Sequence, residues 1–350
     1  EKEIQSQFLS KMADLAEGFS PKQFQLAIAA EADGIGSGEA TDADYKFINI
    51  DSIEFPSLNP QQVLDVRHGV GRTMKAVDMF LSNKLTVKEI SFSGIADATI
   101  LPMLLSNITT DASSAFEIAG SYAGIDLSYG DSVSDNTKTF AVVVVTPEAA
   151  QQMYFKGCFL TSLTISGDVG EEAGRLKISG TFKSGCIPAL NDTSIVPTHD
   201  RASFNTNYFM TDYGDSGSTN AVTTIAGISD PVMKSFSLTI ENDVVMSGYD
   251  VNGNFQQMHR GIPEVAVTFD AVVKYDGDTD NLIQTFGEQS TSTVANTLTA
   301  ADSVTRNVDI SLPTCIITDV SFSEEDAMFL SVSSKAVAGT SGNIVSITIQ

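Results

Sequence analysis

Two stretches alternate apolar and polar residues with a period of two, and this periodicity constrains the fold more than any other feature. Leu176, Ile178 and Phe182 share one parity, while Arg175, Lys177, Ser179, Thr181 and Lys183 share the other. Later, Val265, Val267, Phe269, Ala271, Val273 and Tyr275 oppose Ala266, Thr268, Asp270, Val272 and Lys274. A strand sends successive side chains to opposite faces, so each run has an apolar face and a mostly polar one. That pattern fits antiparallel pairs with a packed side and a wetted side. Each run follows a shared phrase. Ser162-Leu163-Thr164-Ile165 recurs 75 positions later as Ser237-Leu238-Thr239-Ile240. The sheet surface is expected to be the working part.

Composition narrows the class. Three hundred and fifty residues can bury a substantial core, in one large domain or two smaller ones. The absence of Trp, the 18% charged residues and the abundance of Ser, Thr and Gly suit a β-rich assembly protein better than a helical enzyme. A formal charge of −24 argues against a DNA-binding surface, because phosphate contact needs clustered Lys and Arg. It fits a surface to which nucleic acid should not adhere, or simple solubility. No apolar run is long enough to cross a bilayer as a helix, and the first residues lack a signal-peptide h-region, so export by that route is not indicated. Three cysteines without metal spacing suggest free thiols in a reducing compartment.

Residues 1–18 read as an amphipathic arm, with Ile4, Phe8, Met12 and Leu15 at helical spacing and Gly18 as a stop. Residues 19–350 read as one β domain. Strand-like runs are expected at Phe19–Ala30, Phe47–Ile50, Val87–Gly94 and Phe140–Val145, and a turn of helix at Ile100–Leu105. Thr146-Pro147-Glu148 has helix-start chemistry. Hairpins are expected over Phe159–Lys183 and Phe236–Tyr275. Between them residues 185–232 form a long contact loop, whose aromatics Phe204, Tyr208, Phe209 and Tyr213 argue for order. A helix is expected over Asp278–Phe286, a polar linker over 290–305, and four closing strands: Val308–Leu312, Ile316–Phe322, Leu330–Val337 and Ile344–Ile349.

Catalytic and metal signatures are missing from the sequence. His68, His199 and His259 lie far apart, and a lone His is usually structural. Gly69-Val70-Gly71 lacks the third glycine and the strand-to-helix setting of a dinucleotide loop. Asp276, Asp278 and Asp280 have calcium-loop spacing, but Asn281 and Gly287 stand where that loop needs Gly and Glu. Asp250, Asn252 and Asn254 fail the same way, with Phe255 and Gly261. Solvated turn acids are the expectation, with no cofactor and no metal.

Taken in order, several motifs resemble a known family. Cys158-Phe159-Leu160-Thr161-Ser162-Leu163-Thr164-Ile165-Ser166-Gly167-Asp168, followed by Leu176-Lys177-Ile178-Ser179-Gly180-Thr181-Phe182, resembles the core hairpin of tail tube proteins of long-tailed bacteriophages, siphophage- or myophage-type. Arg260-Gly261-Ile262-Pro263-Glu264-Val265 through Lys274-Tyr275-Asp276 is similar to their later hairpin. Leu58-Asn59-Pro60 and Leu312-Pro313 through Val320-Ser321-Phe322-Ser323-Glu324-Glu325-Asp326 also fit.

The resemblance implies a mainly β fold, an antiparallel β-barrel or sandwich with a flanking short helix. It implies a structural subunit, not an enzyme, forming stacked rings around a tape-measure protein, with DNA passing through without sticking. The implied partners are further copies, the tail terminator, baseplate or distal tail proteins and, in a contractile tail, a sheath. The place is the virion tail, assembled in the host cytoplasm. Joining sheets around a ring would also remove exposed strand edges. The shared phrase could mark two tube domains and a three-chain ring. Its 75-residue spacing favours two halves of one domain and a hexameric ring. The alternative class is another β-rich self-assembling protein: a surface layer, adhesin, fibre or injection-device tube.

Specific expectations follow from face parity. Ser235, Ser237, Thr239, Glu241, Thr268 and Asp270 are expected to line the lumen, with Lys274 near a ring boundary. Ile4, Phe8, Met12, Leu15, Phe204, Tyr208, Phe209 and Tyr213 are expected at contacts between subunits. Cys158 falls with Ser162, Thr164 and Ser166 on the polar parity and Cys186 with Leu176, Ile178 and Phe182 on the apolar one. A bridge needs both Cβ atoms on one side, so free thiols are expected at Cys158, Cys186 and Cys315. Only a parity-shifting bulge would permit the bridge.

Overall fold

Among the described residues the period-two pattern is realised in 22 strands, accompanied by two short α-helices. The structure is a computed structural model. It describes residues 21–31, 35–36, 41, 44–55, 61–64, 79–82, 87–109, 115–119, 125–128, 139–146, 152–192, 197, 207–210, 224–229, 231–250, 252–260, 265–277, 279–287, 293–301, 306–324, 328–339 and 342–349. The arm at 1–18, Phe204, Tyr213, His68, His199, the Gly69–Gly71 motif and Pro147–Glu148 lie outside these.

After a short turn at Pro21–Gln23 come β1 (Gln25–Ala30), β2 (Lys46–Ile48) and β3 (Ile50–Glu54). β4 (Gln61–Leu64) and β5 (Met79–Ser82) pair with each other in a two-stranded sheet. β6 (Lys88–Ile95) leads into α1 (Ile100–Thr109), a full helix rather than the expected single turn. Then follow β7 (Ala115–Ala119), β8 (Ile125–Ser128), β9 (Phe140–Val145), β10 (Gln152–Asp168) and β11 (Lys177–Ser184). The expected contact loop holds β12 (Ala189–Asp192) and a small hairpin of β13 (Thr224–Ile225) and β14 (Ile228–Ser229).

The second expected hairpin is β15 (Met233–Glu241) with β18 (Ala266–Lys274). Between them sits another hairpin, β16 (Val244–Tyr249) and β17 (Phe255–Arg260), which joins β8 in a separate three-stranded sheet. α2 (Asp280–Gly287) falls where a helix was expected. The chain closes with β19 (Val294–Ala301), β20 (Asn307–Glu324), β21 (Met328–Ala336) and β22 (Asn343–Ile349). β19 corrects the expected polar linker at 290–305. Asn296, Leu298 and Ala300 point inward on alternate positions, so small and polar residues there still serve a strand.

One antiparallel sheet carries eight strands in the order β3–β6–β11–β10–β15–β18–β21–β20. The two longest strands leave this face and continue into a second layer. The first part of β10 lies between β9 and β12, with β1 and β2 beyond. The first part of β20 lies between β19 and β22, with β7 beyond. Phe209 then bridges Arg175, beside β11, to Ala301 of β19, completing a closed barrel.

The layout contains an internal repeat. β3, β6, α1, β10 and β11 have the same chain order as β15, β18, α2, β20 and β21, and each set crosses the face as first, second, fourth, third. Local details recur. Asp97 and Asp276 each receive a backbone bond at the helix start, from Ile100 N (2.9 Å) and Thr279 N (3.3 Å) to Oδ1. Each β10-type strand bulges at a Thr, Thr161 and Thr318, skipped in pairing with its neighbour. Asp51 and Lys234 are skipped in the same way in β3 and β15. Cys158 and Cys315 each donate to a carbonyl three residues back, Phe155 O (3.6 Å) and Leu312 O (3.8 Å).

The repeated unit is thus Cys158-Phe-Leu-Thr-Ser-Leu-Thr-Ile-Ser matched to Cys315-Ile-Ile-Thr-Asp-Val-Ser-Phe-Ser. The phrase shared by β10 and β15 is different: those strands are direct neighbours, with Thr164 opposite Thr239. Both units contribute to a single hydrophobic cluster.

The bulge at Thr161 corrects the parity assigned to Cys158. One extra residue returns Leu160 and Cys158 to the apolar side, where Cys158 is fully buried opposite Ser184. All three thiols are free and buried. Burial pushes Cys158 and Cys315 up, and Cys186 up to about 12.

Candidate functional site

Along β15, Phe236, Leu238 and Ile240 are buried, and along β18 so are Val267, Phe269, Ala271 and Val273. Their opposite faces therefore point away from the core. Ser235, Ser237 and Thr239 are half-buried there, and Glu241, Thr268 and Asp270 are exposed. The registers extend this surface across the sheet. One transverse row runs Ser52, Ser93, Ser179, Thr164, Thr239, Thr268, Lys335.

Hydroxyls bind one another along and beside that row. Ser52 and Ser93 share a hydrogen bond of 2.8 Å, Ser91 and Thr181 one of 2.9 Å, and Thr164 and Thr239 one of 3.0 Å. Directly opposed side chains on one face lie close enough for such bonds, and they help fix the register. The row is a small-side-chain surface with its donors and acceptors partly engaged with each other.

Two lysines of this face are paired with carboxylates. Lys183 Nζ lies 2.7 Å from Asp243 Oδ1 and 3.6 Å from Glu89 Oε1. Lys177 Nζ lies 2.7 Å from Glu171 Oε2, which holds the Lys177 ammonium above its ordinary range. Lysines paired in this way present little free positive charge to a phosphate.

The residues expected at subunit contacts fall differently. Tyr208 and Phe209 are buried inside this chain, a correction to the expectation of exposed aromatics. Tyr208 O accepts from Leu176 N (2.8 Å), and Phe209 exchanges backbone bonds with Ala301 (2.8 and 3.0 Å). They close the barrel because the gap between β11 and β19 needs one more strand-like segment with bulky inward side chains.

The other polar clusters are structural. Asp250 Oδ1 accepts from Asn252 N (2.9 Å) and Asn254 N (2.8 Å), an Asx-type turn that closes the β16–β17 hairpin. These backbone donors hold the Asp250 carboxyl below its usual range. Asp276 starts α2, and Asp280 accepts from Tyr275 Oη (2.8 Å). Among the described residues no group of His, Cys, Asp and Glu could hold a metal.

Arg260 is a buried residue whose role the sequence did not reveal. Its Nη2 donates to Leu160 O (2.6 Å) and Ile108 O (3.4 Å), and its guanidinium lies 5.7 Å from the Phe159 ring centroid. It ties the end of α1 to the β10 bulge. Alternation places it inward on β17 with Met258, but its carbonyl partners come from distant elements.

The fold is thus an antiparallel wall with one hydroxyl-rich face, on which Lys177 and Lys183 are paired with carboxylates. The phage tail tube protein family model matches residues 22–349, and the chain belongs to that family. The family is one of structural virion tail components and is not an enzyme family. No curated protein matches the chain.

Proposed function

We propose that the chain is a tail tube subunit whose eight-strand polar face forms the wall of the DNA passage. The observation that carries this is the transverse hydroxyl row with its carboxylate-masked lysines. Ser235, Ser237, Thr239, Glu241, Thr268 and Asp270 are the proposed lumen residues. A polyanion sliding past small hydroxyls and carboxylates finds few counterions to displace and so little to hold it.

Rings would stack around a tape-measure protein, capped by a terminator and seated on distal tail or baseplate proteins, with a sheath if the tail contracts. Assembly would occur in the host cytoplasm. The internal repeat supports three chains per ring, supplying six four-strand units, over the six chains first expected. Ile4, Phe8, Met12 and Leu15 are proposed contacts between subunits, with Phe204 and Tyr213.

Electron microscopy of purified protein tests the reading. Hollow tubes of uniform bore are expected; flat lattices or isolated particles would sink it. Deleting residues 1–17 should leave a folded chain that forms no tubes, and normal tubes from that deletion would remove the arm from the proposal.

A further inference from the structure

The two repeated units differ in their thiols. Cys158 and Cys315 hold the same place, three residues before the bulged threonine of each long strand. Cys158 stands opposite Ser184, and Cys315 opposite Ala336. Two residues further on, the first unit carries Cys186 and the second Ala338. Only the first unit therefore has two sulfurs at this point.

The chain geometry brings those sulfurs together. β11 ends at Ser184, whose hydroxyl accepts from Cys186 N (3.2 Å) and donates to Lys156 O (2.6 Å). A serine bond of this kind turns the chain, here toward β10. Cys158 Sγ donates to Phe155 O (3.6 Å) and Lys156 O (3.8 Å), so Ser184 and Cys158 converge on one carbonyl. Cys186 Sγ fills the notch left by Gly157, the residue before Cys158. A Cβ at Gly157 would lie only 3.0 Å from that sulfur. The second unit repeats the approach with other atoms: a Cβ at Gly339 would lie 3.0 Å from Oγ1 of Thr314, the residue before Cys315. The bulge at Thr161 also places Cys158 on the apolar side, which removes the parity bar to a bridge.

We infer that Cys158 and Cys186 are a latent disulfide pair, free in a reducing compartment and joined by a peroxide-class oxidant outside it. The bond would pin the segment leaving β11 to β10 where β10 passes from the eight-strand sheet into the second layer. This goes beyond the tail tube reading and does not depend on it.

Cys186 is 4% exposed beside Ile187 at 43%, whereas Cys158 is 0% exposed, so a small oxidant reaches Cys186 first. Peroxide gives one oxygen to the Cys186 sulfur, forming a sulfenic acid and releasing one water. The Cys158 sulfur then attacks the Cys186 sulfur. The S–O bond breaks, and the departing hydroxide takes the Cys158 proton and leaves as a second water. The two thiols lose two electrons, and one peroxide is reduced to two waters. Burial, with Glu31 nearby, holds both sulfurs protonated, which slows oxidation while a cell's thiol pool is present.

Dilute hydrogen peroxide on the folded full chain, then alkylation of the remaining thiols and peptide mapping, tests the pair. A Cys158–Cys186 linked peptide is expected, with a mass lower by two hydrogens, single chains on a non-reducing gel and Cys315 unlinked. Cys186→Ala, which copies Ala338 of the second unit, should fold and give no link. The bridged chain should melt above the reduced one, while peroxide should leave the midpoint of Cys186→Ala unchanged. Three intact thiols after an exposure that fully oxidises a cysteine peptide would overturn the inference. So would a link that forms only in denaturant, multimers joined through Cys186, or a bridged chain that melts no higher. Tube formation enters none of these outcomes, so the tail tube reading stands or falls separately.

Discussion

At the scale of single residues, buried polar groups hold the layers together. Arg260 serves carbonyls at the end of α1 and at the β10 bulge. Ile108 O also accepts from Asn242 Nδ2 (2.7 Å), so removing Arg260 chiefly deprives Leu160 O of its side-chain donor, a loss of about 1–3 kcal/mol for a buried group left unsatisfied. Arg260→Leu should therefore lower the denaturant midpoint clearly, with no change in slope. An unchanged midpoint would show that water or neighbouring groups replace the guanidinium.

Glu31 makes a second such knot. Its carboxylate accepts from Gly36 N (2.9 Å), Gly157 N (2.8 Å) and the Thr139 hydroxyl. Burial nevertheless raises its pKa above the ordinary 4.5, because desolvation outweighs those bonds. A carboxyl with a raised folded pKa takes up a proton on folding. Its contribution is complete below 4.5 and is lost as the pH rises through the folded value. The stability of the native chain minus that of Glu31→Gln should fall over that window and then level off. Denaturation at a series of pH values measures it, and parallel curves for the two proteins would contradict it.

At the scale of elements, bulges and caps decide what alternation alone leaves open. Asp97 Oδ1 accepts from Thr99 N (2.8 Å) and Ile100 N (2.9 Å), so it starts α1 by satisfying two helix-end donors. Asp97→Ala should cost about 1 kcal/mol, up to roughly 2 at a buried cap, read as a lowered melting temperature. Asp276→Ala, at the looser cap of α2, should cost less.

The strands at Phe140–Val145, Lys177–Ser184 and Ala266–Lys274 were legible because each has a clean apolar pattern. β19 was not, because Ala, Thr and Asn make up six of its eight residues. The β16–β17 hairpin was hidden inside what reads as one long hairpin connection. The repeat is present in the sequence as two Cys-x-x-Thr phrases, at Cys158 and Cys315. It was missed because the louder shared phrase lies in strands that pair with each other and are not equivalents.

At the scale of the whole molecule, the formal charge of −24 and the masked lysines predict that the chain will not hold duplex DNA. Mobility-shift assays at about 150 mM salt should show no complex, since non-specific binding depends on released counterions. Converting Glu241, Thr268 and Asp270 to Lys should create salt-sensitive retention. If the native chain already binds DNA, the proposed lumen chemistry fails.

Sequence by itself determined the faces. Alternation of Leu, Val, Ile and Phe with Ser, Thr, Asp and Lys forces one side of β11, β15 and β18 inward, because a strand has period two and water rejects the apolar side. It also determined the polarity of the outer face and the lack of familiar catalytic spacing. Only the tertiary structure decided which strands are neighbours, since ladder partners are chosen by loops and bulges far apart in the chain. That is why Cys158 lies inside and why Tyr208 and Phe209 close the barrel.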